Sequence, residues 1–378
     1  MSSGRPARFG LIGTGWRSEY FARIAAALPE HVSIGAVTSA RPESAKAFGR
    51  LWGLDVAPSV DDLLARDLDF VLVSVPRSVA PALIRDSVVA GKPVLTETPP
   101  ANGLDDLREL YGALGHDSPV QVAEQYQFQP HHAARIDLVR SGLIGPVSSA
   151  RVSAAHGYHG VALIRFLLGI GFDEVTIRAT TVPDRVLSGN GRDGWTPQLS
   201  MATPGRTLAQ LDVAGADDGG DGGAVAQAGL FDFDGEQYFS PIRSRHVSVS
   251  GENGEISDLD VSRWIGPGHP ITERITRDVM GVDGDLDGST LRRLTVGERV
   301  VWSNEFGDVR LSDDELAGAR ALMRMAAFAR GSEGFYGLAD GCHDHYLSLL
   351  IDEAAASGAT IRSEPQPWSG QVSATAAH

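Results

Sequence analysis

The chain carries one cysteine, Cys342, in 378 residues. No internal disulfide can form, and a reducing, cytoplasmic location is expected. Cys342 itself reads as a small buried hydrophobe rather than a nucleophile. No Cys/His spacing matches a zinc site, so no metal is expected. The start lacks the basic-then-apolar pattern of a secretory signal, and no apolar run is long enough to cross a bilayer. Positive charge is also short: 33 Lys and Arg stand against 48 Asp and Glu, a net −15. That balance disfavours nucleic acid and anionic membrane as partners and leaves a small molecule as the expected ligand.

Hydrophobic residues make up 42% of the chain, enough for ordinary globular cores, and the length suggests two domains. The most informative stretch is Phe9-Gly10-Leu11-Ile12-Gly13-Thr14-Gly15-Trp16-Arg17-Ser18. An apolar strand ends in a glycine pair and leads into a helical pattern over Glu19–Leu28. That is the strand–turn–helix setting of a dinucleotide fingerprint. Gly13 suits the tight turn, and Gly15 lets backbone approach a pyrophosphate. Ser18, in place of the third glycine, is small enough for close helix–strand packing. The amides of Thr14, Trp16 and Arg17 would point at phosphates from a helix N-terminus.

Apolar strand patterns alternate with helical ones to about residue 123. Phe70–Val75 is a near-continuous apolar run of the kind buried on both faces of a parallel sheet. The first part is therefore expected to be an α/β doubly wound Rossmann domain over residues 1–124. Beyond it, helical patterns at His131–Ser141 and Val161–Leu168 mix with period-2 stretches at Val147–Ala154, Val175–Thr181, Thr207–Val213, Val225–Phe233, His246–Ser250 and Val300–Ser303. Helices follow at Leu316–Ala329 and Leu338–Ala356. This predicts an α+β domain with a large, mainly antiparallel sheet over residues 125–362, and a tail over residues 363–378. Gly215–Gly223 reads as a solvated hairpin loop and Ser369–His378 as a disordered end.

An acidic residue at the end of the second strand reads the adenosine ribose in NAD-preferring proteins. Here Val37-Thr38-Ser39-Ala40-Arg41 offers none, and Ser39 and Arg41 suit a 2′-phosphate. The cofactor is expected to be NADP or NAD, with a lean to NADP.

Later motifs, Val73-Ser74-Val75-Pro76 and Gly91-Lys92-Pro93-Val94-Leu95-Thr96-Glu97-Thr98-Pro99, join the opening one. Further along come Ser141-Gly142-Leu143-Ile144-Gly145-Pro146-Val147, Gly157-Tyr158-His159 with Arg165-Phe166-Leu167-Leu168-Gly169, and Ser250-Gly251-Glu252-Asn253-Gly254-Glu255-Ile256. In this order they resemble the glucose–fructose oxidoreductase/inositol dehydrogenase/MocA family, from about Phe9 to Trp368. The resemblance implies a nicotinamide-dependent oxidoreductase acting on sugars, polyols or related small molecules. It implies a substrate held between the Rossmann domain and the second domain's sheet, and a homo-oligomer formed through that sheet.

The departures matter as much. Where the family has Glu-Lys-Pro, this chain has Glu97-Thr98-Pro99. The family's lysine contacts the reacting oxygen and assists proton transfer, which Thr98 cannot do near neutral pH. Other family carboxylate or histidine positions hold Ala155, Ala162 and Ala80, and the segment before His159 is short. His159 remains. It is either the acid/base that takes the hydroxyl proton or a satisfied histidine at a helix start. Glu97 either contacts the nicotinamide ribose or carboxamide side, with a catalytic part, or caps the helix after Pro99-Pro100.

The expected cofactor contacts are thus Gly13, Thr14, Gly15, Trp16, Arg17, Ser39, Arg41, Ser74, Val75, Pro76, Glu97 and Gln125. Thr98, Tyr126, His156 and Tyr158 are expected to bind substrate. His131 and His132 read as exposed. Three activities fit: hydride transfer, nucleotide binding without dehydrogenase chemistry in a sensor or assembly subunit, and a non-redox net reaction with transient oxidation on a bound cofactor.

Overall fold

The computed structural model describes residues 5–183, 186–188, 198–200, 206–213, 227–233, 245–281, 289–370 and 373–376. The glycine-rich segment Gly215–Gly223 lies outside these residues. The chain divides into two compact units: Met1–Pro130 with Arg277–Arg293 and Ser303–Cys342, and His131–Thr276 with Leu294–Trp302 and His343–His378.

The first unit opens with strands separated by helices: β1 (Ala7–Ile12), α1 (Trp16–Ala27), β2 (Val32–Thr38), α2 (Pro42–Trp52), α3 (Val60–Leu64), β3 (Phe70–Val73), α4 (Ala80–Val89), β4 (Val94–Thr96), α5 (Leu104–Leu114) and β5 (Val120–Val122). The five strands pair in the order β2-β1-β3-β4-β5, all in parallel. This is the doubly wound Rossmann sheet expected from the sequence. Its central strands are largely apolar: Phe9, Leu11, Phe70, Val71 and Leu72 are fully buried, as a sheet covered on both faces requires. Phe9 and Phe70 stack across neighbouring strands, with ring centroids 5.2 Å apart. Helix α1 begins at Trp16, three residues before the apolar periodicity starts, because the first turn of a helix need not face the core.

The second unit builds on α6 (Pro130–Arg140), β6 (Val147–Ser153) and α7 (Gly157–Leu168), followed by β7 (Val175–Val182), β8 (Val186–Ser188), β9 (Gln198–Ser200), β10 (Arg206–Val213) and β11 (Gln227–Phe233). Then come β12 (His246–Gly251), β13 (Gly254–Ser257), β14 (Asp260–Trp264), β15 (Pro270–Met280), β16 (Thr290–Val296), β17 (Arg299–Ser303) and the short β18 (Ile361–Arg362). An eleven-stranded sheet runs β17-β16-β15-β14-β13-β12-β6-β11-β10-β7-β18, and β8 pairs with β9 apart from it. The β6–β11 pair is parallel, whereas β12, β10 and β7 pair antiparallel to their neighbours. The mainly antiparallel sheet expected from the period-2 patterns is present. Strand β13 falls in the Ser250–Ile256 motif, whereas β14–β16 are not individually legible, because their polar outer positions dilute the apolar alternation.

Alternation decides which face is buried. In β10, Ala209, Leu211 and Val213 are buried while Leu208 is 37% exposed. Helix α7 covers the inner face. A Cβ on Gly160 would stand 2.2 Å from the Phe231 ring of β11, so glycine there lets the helix press against the sheet.

Helices α8 (Asp313–Ala329) and α9 (Leu338–Ser357) complete the chain. Helix α8 lies in the first unit and starts in a capping box between Ser312 and Glu315, which satisfies two orphan backbone donors. The Tyr20 hydroxyl of α1 donates to the Asp314 carbonyl at 2.5 Å.

Arg165 of α7 is a fully buried cation. Its Nη1 donates to Asp344 of α9 at 2.5 Å, and Nη2 donates to the Gly171 carbonyl and to Ser373 Oγ. Ser373 and Thr375 are themselves buried. The expectation of a disordered end over Ser369–His378 is therefore corrected for residues 373–376: a buried guanidinium needs more acceptors than one carboxylate supplies, and this segment provides one. Arg165→Met leaves Asp344 buried and uncompensated. It is expected to lower unfolding free energy by about 3–5 kcal/mol, as read from urea denaturation.

Candidate functional site

The two units each hold part of the sequence-derived site. In the first, β1 ends at Ile12 and the chain turns through Gly13 at φ 116°. A Cβ on Gly13 would lie 2.0 Å from the Ser74 carbonyl oxygen at the end of β3, so only glycine passes here. The Gly13 amide donates to the Thr38 carbonyl at 2.9 Å, tying the turn to the end of β2. Ser18, the small residue at the third position, is fully buried.

Gly15 is the N-cap of α1 and supplies no capping side chain. Nothing stands within 4 Å of where its Cβ would be. The start of α1 is thus open, with backbone donors and the positive end of a helix dipole facing free space. Those features fit a pyrophosphate: a turn that excludes side chains, an uncapped helix start and room above it. Thr14 Oγ1 donates to Ser39 Oγ at 3.4 Å, and the Arg41 amide reaches the same hydroxyl at 3.4 Å. Thr14, Ser39 and Arg41 are therefore brought to one corner, with the Arg41 side chain exposed. Ser74 is buried, while Val75 and Pro76 continue outward along the same edge. Trp16 is 65% exposed beside the turn.

Arg17 turns away from a free phosphate-facing position. Its Nε donates to Glu97 Oε1 at 3.0 Å, and the two side chains are only 13% and 16% exposed. Its guanidinium carbon lies 4.3 Å from the centre of the Tyr20 ring. Burial disfavours the Arg17 charge, but Glu97, Tyr20 and Asp314 outweigh it and move its pKa upward. Glu97 follows β4, so the pair joins the start of α1 to the end of β4. The alternative that Glu97 caps the next helix is corrected: α5 begins at Leu104, and its N-cap is Gly103 with no side-chain cap. Thr98 precedes Pro99 through a cis peptide.

Glu124, just beyond β5, was missed in the sequence. Its side chain is buried, and Oε1 accepts from the Tyr126 amide at 3.0 Å. Burial pushes its carboxyl up to about 8; the Tyr126 amide and the Arg17 charge offset that only in part. An ionisable residue at the carboxyl end of a parallel strand was the available signal, since ligands bind at that edge. Gln125 and Tyr126 are buried beside it, and Gln125 Oε1 has no hydrogen-bond partner among the described residues.

In the second unit, His156 is the N-cap of α7, and Tyr158 and His159 lie in its first turn. The rings of Tyr158 and His159 are 4.5 Å apart, and those of His156 and His159 are 5.0 Å apart. His345 of α9 stands edge-on to Tyr158 at 5.8 Å. His159 and His345 are buried. Sequence reading missed His345; polar residues recurring on all sides of the Cys342–Tyr346 run were the only sign. Among the described residues no group of three or more His, Cys, Asp or Glu side chains could hold a metal.

His132 corrects a second expectation. It is buried, not exposed, and Nδ1 accepts from Arg135 Nη1 at 3.2 Å. Burial, then Arg135, His131 and Arg245, hold its pKa well below the usual imidazole range. Arg135 also donates to the Asp258 carbonyl at 2.8 Å.

The glycine turn, the uncapped helix start and the parallel sheet define a Rossmann fold with an open helix start at the carboxyl edge of its sheet. Residues 7–123 match the model of the Gfo/Idh/MocA oxidoreductase family, described by an NAD-binding Rossmann fold. Over these residues the chain is similar to that family. No curated protein sequence matches the chain significantly. Among solved structures, a putative myo-inositol dehydrogenase from Sinorhizobium meliloti 1021 is 19% identical, covering 94% of this chain and 99% of its own, with a TM-score of 0.63. Levoglucosan dehydrogenase in complex with NADH and levoglucosan is 16% identical over 95% and 99%, at 0.66. An aldose-aldose oxidoreductase from Caulobacter crescentus complexed with glycerol is 19% identical over 95% and 100%, at 0.61. At these identities the likeness establishes the shared fold. No helix among the described residues is long and apolar enough to cross a membrane.

Two outcomes are expected. Gly13→Ala drives a Cβ into the Ser74 carbonyl at a left-handed φ. It should cost more than about 1 kcal/mol of stability and weaken NADH binding at least about tenfold, by fluorescence titration. Folding lifts the Glu124 pKa above its unfolded value, so its contribution is fully present below about pH 4.5 and is lost as pH rises through about 8. Glu124→Gln should therefore lose less stability than the unsubstituted protein between these limits, as measured by urea midpoints at both ends.

Proposed function

We propose that the protein is an NAD(P)-dependent oxidoreductase that moves hydride between nicotinamide and a small sugar-like molecule carrying a hydroxyl or carbonyl group. The observation that carries this reading is the open cradle at Gly13–Gly15, in a segment that matches an NAD-binding oxidoreductase family. The amides from Thr14 to Arg17 hold the pyrophosphate, and Ser39 and Arg41 read the adenosine ribose. The absence of a carboxylate at the end of β2 supports NADP alongside NAD. Ser74, Val75, Pro76, Glu97 and Gln125 line the remainder of the cofactor's path along the sheet edge. The bound nicotinamide supplies the hydride acceptor or donor.

Loss of hydride from a carbinol also requires loss of the hydroxyl proton. We assign that proton to His159, with Thr98, Tyr126, His156 and Tyr158 as substrate-binding groups. Thr98 has no group able to exchange a proton near neutral pH, which supports a second reading: an NAD(P)-binding sensor or assembly subunit without dehydrogenase activity.

Titration with NADH and NADPH, then a screen of sugars, polyols and small carbonyls for cofactor turnover, separates the readings. On the first, both binding and turnover occur, and His159→Ala lowers kcat by roughly 100-fold or more with cofactor affinity retained. Binding without turnover leaves the second reading. Absence of binding to either cofactor ends both.

A further inference from the structure

The Arg17–Glu97 ion pair has a place in the sheet that bears on the cofactor's redox state. With strand order β2-β1-β3-β4-β5 and the phosphate cradle after β1, the ribose-reading position after β2 takes the adenosine half of a dinucleotide. The other half must extend the opposite way along the carboxyl edge, over β3 and toward β4. Glu97 follows β4 directly, and Arg17 reaches it from the first turn of α1 at 3.0 Å. The pair therefore lies on the nicotinamide half's path.

We propose that this pair sets the balance between oxidised and reduced cofactor on the protein, a role that rests on the nicotinamide-binding function proposed above. The oxidised nicotinamide ring carries a positive charge and the reduced ring carries none. A neighbouring carboxylate stabilises the oxidised form, and a neighbouring guanidinium favours the reduced form. In a pair these opposing effects offset each other, and removal of either partner unmasks the other.

Three features make the pair fit for this. Its side chains are 13% and 16% exposed, so water and salt screen it weakly. The guanidinium is held at a fixed place by the Tyr20 ring, 4.3 Å away, and Tyr20 is anchored through its hydroxyl to the Asp314 carbonyl. Arg17 also stays charged across the working range, because its neighbours more than offset its burial. The nearby Glu124, kept protonated to about pH 8 by burial, adds no second carboxylate charge at neutral pH. The cluster thus holds one clamped cation against its own carboxylate, with Asp314 as a second acidic neighbour of that cation.

The test measures dissociation constants of NAD+ and NADH by calorimetry at pH 7, on the full chain and two substituted forms. Arg17→Met should lower the ratio Kd(NAD+)/Kd(NADH) at least about threefold, and Glu97→Gln should raise it at least about threefold. A tenfold change corresponds to about 30 mV in the bound cofactor's potential. Arg17→Lys, which keeps the charge, should restore a ratio within twofold of the unsubstituted protein. Should Arg17→Met not fold, Arg17→Gln removes the same charge while retaining a donor to Glu97. Opposite shifts distinguish an electrostatic role from damage to the cradle, which weakens both forms alike. Shifts of the same sign, or below twofold with binding retained, overturn the proposal and leave the oxidoreductase reading intact. Failure of the unsubstituted protein to bind either form overturns the oxidoreductase reading and this proposal with it.

Discussion

The close passage of Gly13 beneath the Ser74 carbonyl sets the geometry of the first unit's site. The end of β1 and the end of β3 approach so nearly that a single methyl group would collide with backbone. Because the turn is that tight, α1 starts immediately after it, with Gly15 as an uncapped N-terminus. Because α1 starts there, Arg17 falls in its first turn and meets Glu97 at the end of β4. One steric constraint thus aligns an uncapped helix start and a charged pair on the same sheet edge.

Electrostatics around that edge is arranged by burial. Arg17 is stabilised by a carboxylate, a phenol ring and a second acidic residue at the start of α8. Glu124, one strand further along, accepts from the Tyr126 amide, and burial pushes its carboxyl up to about 8. Two carboxyl groups at the ends of adjacent strands therefore sit in different surroundings: Glu97 is paired with Arg17, and Glu124 is buried against the Tyr126 amide. In the second unit the same principle gives a different result. Arg165 is buried with Asp344 and with acceptors drawn from two separate segments, and it serves as an internal tie among α7, α9 and residues 373–376.

Much of the first unit is legible in the sequence, since a sheet buried on both faces demands unbroken apolar strands between amphipathic helices. The glycine turn and Ser18 are legible for the same reason: close backbone approach admits few residue types. In the second unit the inner face of the sheet shows as alternation, but β14–β16 do not, because their outer positions are polar and their inner positions sparse. The site residues divide similarly. Those set by backbone geometry, such as Gly13 and Gly15, can be read directly. Those defined by what they touch, such as Arg17, Glu124, His132 and His345, cannot, because the same residue types in the same local pattern also occur on solvated surfaces.

By itself the sequence determines the element types, the Rossmann class of the first unit, the sheet-rich character of the second and the position of the glycine turn. Each follows from local spacing: apolar periodicity, glycine at a forced turn, and alternation along strands. Tertiary structure alone decides that Arg17 pairs with Glu97, that Glu124 keeps its proton, and that residues 373–376 are bound to Arg165. Charge, burial and hydrogen-bond partners are properties of neighbours far apart in the chain, and only the folded arrangement brings those neighbours together.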